Sequence, residues 1–134
     1  MRRSLKAPGT NQKNNKHNQK NIEKMAVKNR SEINIKVGLD ENKVPEELFW
    51  SADDGDIENM EAKAAFISLW DSSTKDTFKI HLWTKEMPIN EMKQFYHQMF
   101  LSMAESFHTA TGDDKMTATM KDFIDYFAEK MGIK

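Results

Sequence analysis

Three kinds of residue in this 134-residue chain could carry chemistry: histidines, a run of acids and a set of tryptophans. His97 and His108 stand eleven positions apart, which on a helix gives nearly the same face but about 16 Å of separation, too far to share a metal ion. His81 falls in a strand pattern and His17 in a polar N-terminal stretch. The run Asp53-Asp54-Gly55-Asp56-Ile57-Glu58 suggests calcium. It lacks the alternating order of a calcium loop and a bidentate acid at the closing offset, so it reads as an acidic turn. There is no glycine-rich phosphate cradle, no G-x-S-x-G elbow and no nucleophile beside a base. Cysteine is absent, which removes disulfides, thiolate metal sites and thiol catalysis. The expectation is a protein that is not an enzyme, with no catalytic residue, no metal and no cofactor.

The tryptophans are more informative. Trp70 and Trp83 fall in two patterns of alternating residues, where Phe66 and His81 share their parity. Trp50 closes a short apolar run, Leu48-Phe49-Trp50. An aromatic surface on a sheet marks a place where another protein binds. Phe66, Trp70, His81, Trp83 and Trp50 are therefore the candidate interface, for a protein partner or a second copy. The alternative is that the loop around Trp50 folds over the other two indoles.

The elements that would position these residues follow from hydrophobic period. Ile33, Ile35, Val37 and Leu39 alternate with polar residues, as in a half-buried strand, and Asp40-Glu41-Asn42-Lys43 breaks it. Pro45 argues against continuing a strand through that point, and Leu48–Trp50 is a candidate second strand. Residues 58–70 fit helix and strand alike. Strand is expected from about Ala64, because Asp71 to Asp76 looks like a hairpin connection. Pairing Asp71 with Asp76 sets a register in which Leu69 meets Phe78, Ile67 meets Ile80 and Ala65 meets Leu82 on one face, the expected core face. Phe66, Trp70, His81 and Trp83 then gather on the other, and a slip of one residue would mismatch the faces.

From Ile89 the period changes to that of a helix: Met92, Phe95, Tyr96, Met99, Phe100, Met103 and Phe107 follow it. Pro88 suits the first helical position, Glu91 the first turn, and Gly112 a left-handed stop. Asp113 or Asp114 can cap a second helix, whose stripe is Met116, Met120, Phe123, Ile124, Phe127 and Met131, ended by Gly132. So short a connection predicts antiparallel neighbours. The expected fold is α+β: an antiparallel sheet of three to four strands with two C-terminal antiparallel helices packed on one face. A space between sheet and helices would allow the alternative function, a small-ligand-binding or catalytic domain.

Charge divides the chain in another way. Residues 1–30 hold nine Lys or Arg and one acid; residues 31–134 hold eleven Lys and twenty acids, so a net −1 conceals +8 followed by −9. Residues 1–29 are rich in Asn, Lys and Gln with almost no large apolar group. Such a segment cannot offset an ordering cost of roughly 1–2 kcal/mol per residue, and it is expected to be a disordered tail preceding a single domain at 30–134. Met25 would serve as a start codon position, which would make residues 1–24 a non-native extension. A basic arm can bind phosphates, but no aromatic residues are interleaved for base stacking, and the acidic domain repels nucleic acid. No apolar run approaches membrane-spanning length and no hydrophobic leader follows Arg2-Arg3, so a cytoplasmic protein without membrane insertion is expected.

Several segments together resemble one family. They are Lys43-Val44-Pro45-Glu46, the Asp53…Ile57-Glu58-Asn59 spacing, Leu69-Trp70-Asp71, Glu91-Met92-Lys93-Gln94-Phe95 and Met120-Lys121-Asp122-Phe123. The most specific is Ile80-His81-Leu82-Trp83-Thr84-Lys85-Glu86-Met87. The resemblance is to the gliding-motility protein GldC of Bacteroidota, over about residues 30–134. It implies a small cytoplasmic protein associated with surface gliding. It carries over no enzymatic activity, cofactor or catalytic residue.

Overall fold

The computed structural model describes residues 26–133. Among the described residues five strands precede two helices: β1 Ile33–Leu39, β2 Pro45–Ala52, β3 Ile57–Glu61, β4 Ala64–Asp71, β5 Asp76–Trp83, α1 Ile89–Thr111 and α2 Asp114–Met131. The class is α+β, as expected. The strands form two antiparallel sheets rather than one: β1-β2-β3 and the β4–β5 hairpin. The chain divides into two compact units between Glu86 and Met87, one made of strands and one of helices.

In the β unit, the turn after β1 is built by Asp40. Its side chain accepts the Asn42 and Val44 N–H groups at 2.8 and 2.9 Å, mimicking a backbone turn. Lys43 takes the left-handed conformation at φ 61°. Pro45 then opens β2, where a strand tolerates the missing donor. The pairing of β1 with β2 runs regularly from Ile33↔Ala52 to Gly38↔Glu47, then shifts at Leu39.

β3 is the element that hydrophobic period left undecided. Asn59 has φ 52° inside it and hands its N–H to the Ser51 hydroxyl at 2.9 Å, so alternation breaks in the middle of the strand. Two backbone hydrogen bonds extend the ladders past the strand ends, Ala62 to Leu48 beside β2–β3 at 2.9 Å and Thr84 to Lys63 beside β4–β5 at 2.8 Å. A third, Lys85 to Pro45 at 3.1 Å, ties the end of β5 to β2 of the other sheet. The buried residues of this unit, Pro45, Leu48, Leu82 and Thr84, lie at or beside these links.

In the helical unit, Pro88 sits one position earlier than expected, as the extended N-cap of α1 (φ −69°, ψ 148°), and its carbonyl accepts from Met92. Gly112 ends α1 at φ 66° and passes its N–H to the His108 carbonyl. Asp113, in the capping role foreseen for it or its neighbour, accepts the Met116 N–H at 2.9 Å. Phe100 of α1 meets Phe123 and Phe127 of α2 edge-on at 5.7 and 5.3 Å between ring centres. His108 meets Asp114 across the turn at 2.7 Å, so the helices are antiparallel neighbours. The α2 stripe is not uniform. Ile124 is buried, whereas Met116, Phe123 and Met131 are exposed.

Candidate functional site

The β4–β5 hairpin carries four of the five aromatic-interface candidates. Its register is the expected one throughout: Ala64↔Trp83, Ala65↔Leu82, Phe66↔His81, Ile67↔Ile80, Ser68↔Lys79, Leu69↔Phe78, Trp70↔Thr77 and Asp71↔Asp76. Because side chains alternate, Phe66, Trp70, His81 and Trp83 share one face. Phe66 and His81 stack with ring centres 4.1 Å apart and planes 15° from parallel, a cross-strand pair that fixes the middle of the face. Trp83 stands at its base and Trp70 at its tip. Ala64, opposite Trp83, lies six positions from Trp70, a span of about 20 Å along β4. Trp50 is elsewhere. It lies on β2, between Ile35 of β1 and Met60 of β3, and belongs to the other sheet.

Burial on the hairpin changes along the strands as well as across them. At the base Leu82 is 6% exposed; toward the tip Leu69 is 61% and Trp70 63% exposed, although these two point to opposite faces. The tip therefore presents apolar groups on both sides. Periodicity assigns faces and is silent about how far a hairpin projects, which is why Leu69 was expected in the core.

Charge at both ends of the hairpin is locked rather than reactive. At the tip, Asp71 accepts the Ser73 hydroxyl at 2.6 Å and the Ser73 N–H at 2.8 Å. The hydroxyl first, and then the amide, hold its carboxyl below the usual carboxylate range. At the base, Lys85 pairs with Asp40 and lies 3.8 Å from Glu46. The Lys85 hydrogen bond is the main cause that lowers Asp40, aided by the Val44 amide, and the same bond raises Lys85. Each of these groups is driven further toward its charged form. That is the opposite of what proton transfer near neutral pH requires.

Two features of the helical unit went unread in the sequence. His108 and Asp114 pair across the α1–α2 turn, on different helices, so no single-helix spacing reveals them. An apolar groove of about 330 Å³ is lined by Phe100, Met103, Thr119, Met120, Phe123 and Ile124. The one polar group in that lining, the Thr119 hydroxyl, donates to the Lys115 carbonyl at 3.2 Å. Among the described residues, no group of three or more His, Asp or Glu could hold a metal ion. Also among them, no helix is long and apolar enough to cross a membrane. The expectations for the tail up to residue 25, including the Met25 start, lie outside the described residues.

An α+β protein with an aromatic hairpin face and a helical hairpin is the class these observations define. A family model described as gliding motility-associated protein GldC-like matches residues 45–133. The match covers most of the chain, and the chain belongs to that GldC-like family, associated with gliding motility. It begins at Pro45, after β1, whereas the resemblance was expected from about residue 30. No curated protein and no solved structure matches the chain.

Proposed function

We propose that this protein is a non-enzymatic, cytoplasmic accessory component of gliding motility that works by binding another protein through the aromatic face of β4–β5. The observation that carries the reading is the Phe66–His81 stack set between Trp83 and the 63%-exposed Trp70 on one face of a short hairpin. Large amphipathic rings fixed in place bury much area at little entropic cost, and tryptophan is the commonest type of interfacial anchor. Asp71, capped by Ser73, and the exposed Lys79 supply a polar rim. Trp50, on the other sheet, is an extension of this surface only for a partner that reaches both sheets.

The test is co-purification from gliding cells with tagged protein, comparing wild type with Trp70→Ala and Trp83→Ala. The expected result is loss of a specific partner with both variants while the fold, followed by circular dichroism, is kept. Retention of every partner by the double variant removes this surface from consideration.

A further inference from the structure

The three-stranded sheet has two unlike edges. On the β3 edge, Glu58 and Glu61 are exposed, Asn59 is left-handed and the register against β2 shifts. Charges and irregular backbone of this kind discourage strand addition. On the β1 edge the register is unbroken from Ile33 to Gly38, there is no proline, and the strand carries one charged residue, Lys36. Among the described residues, no strand pairs with this edge. Its first residue, Ile33, is the most exposed large apolar side chain among the described residues of the β unit, at 74%.

The backbone shows which groups the edge offers. Asp53 donates its N–H to the Glu32 carbonyl at 3.1 Å, and the Glu32 N–H goes to the Asp53 carboxylate at 3.1 Å, both toward β2. Backbone groups alternate sides along a strand, so Asn34 and Lys36 also turn theirs to β2. Ile33, Ile35 and Val37 turn theirs outward.

We propose that this edge pairs with the same edge of a second copy, antiparallel about Ile35, joining two three-stranded sheets into one. In that register Ile35 faces Ile35 of the second copy, and Ile33 faces Val37. All are residues with outward groups, so each pair exchanges both ladder bonds. A two-fold axis normal to the sheet keeps the apolar residues of both copies on one face and lays the exposed Ile33 beside a valine. Asn34 faces Lys36, twice per dimer. Pairing about Lys36 instead would set the two lysines opposite each other. Charge selects the site as well as the register. Residues 31–86 hold six lysines against thirteen acids, a net −7, and β1 is a stretch without an acid. Within this acid-rich segment, β1 is where two copies set no carboxylate against another.

Sedimentation equilibrium of the full chain over a concentration series tests this, with Asn34→Glu, Asn34→Lys and Ile35→Pro beside wild type. Wild type is expected to dimerise. Asn34→Glu adds two cross-strand ion pairs and should tighten the dimer by roughly twofold to thirtyfold. A non-specific effect of added negative charge would have the opposite sign, and high salt should erase the gain. Asn34→Lys should weaken the dimer by a similar factor. Ile35→Pro removes an outward N–H that the β1–β2 ladder does not use, and should give a folded monomer. A strict monomer at every concentration overturns the proposal. So does a dimer that neither Asn34 variant shifts in these directions, whatever the proline variant does.

Discussion

The two units of this protein solve the same problem by different means. The β unit, with few fully buried side chains, is held by backbone: ladders, an aspartate-built turn, and the Lys85 to Pro45 bond between its sheets. The helical unit is held by rings and caps: Phe100 against Phe123 and Phe127, Asp113 at one helix start, and left-handed glycines at both helix ends. Charge differs too. Residues 87–134 hold five lysines and seven acids, a net −2, against −7 for residues 31–86. The comparison teaches how differently the two units present apolar surface. The helices expose methionines together with Phe123 and Tyr126, beside an apolar groove, whereas the hairpin exposes Trp70 on a face whose register is fixed by the Phe66–His81 stack. On the proposed reading, the fixed register is the arrangement that defines one partner geometry.

The largest effect that would sharpen this contrast is expected at Leu48, which is 1% exposed and whose carbonyl accepts the Ala62 N–H. Leu48→Ala should cost about 2–5 kcal/mol in urea unfolding. Phe123→Ala, at a side chain already 52% exposed, should cost less than Leu48→Ala. A reversed order would mean that the rings, not the β core, carry the stability. Next comes Gly112→Ala. The site has φ 66° and open space around it, so the cost is purely conformational, about 1–2 kcal/mol by thermal melting. Asp113→Ala should follow at about 1 kcal/mol, through loss of the Met116 N–H acceptor.

The smallest effect is the pH dependence of the β unit. Asp40 and Asp71 have lowered folded values, so their contributions are present above about pH 4 and vanish as pH falls through those values. Lys85 has a raised value, so its contribution is present below about pH 10.4 and vanishes as pH rises through the folded value. Melting curves of Lys85→Met should lose the alkaline branch and the Lys85 share of the Asp40 part of the acid branch, and keep what the Val44 and Asn42 amides give Asp40 and what Ser73 gives Asp71. An unchanged profile would show that Lys85 does not couple to Asp40.

Much of this fold is legible in sequence where period and punctuation agree. The whole β4–β5 register follows from Asp71 and Asp76 flanking a turn, and both helix ends from Gly112 and Gly132. β3 is not legible, because Asn59 breaks its alternation to reach Ser51. The division into two sheets is not legible either, since alternation names a strand's faces but not its neighbours. At the candidate site, sharing of a face by Phe66, Trp70, His81 and Trp83 could be read directly. The placing of Trp50 on the other sheet and the exposure of Leu69 could not, because both depend on which strands pair and where the hairpin ends.

Site-specific photo-crosslinking in gliding cells compares the two units most directly. A crosslinking amino acid is placed at Ser68, exposed on the same face of β4 as Trp70, or at Tyr126 on α2, which is 56% exposed. The account predicts a discrete crosslinked product from position 68 and none from position 126. Crosslinking from position 126 alone would contradict it and assign recognition to the helices.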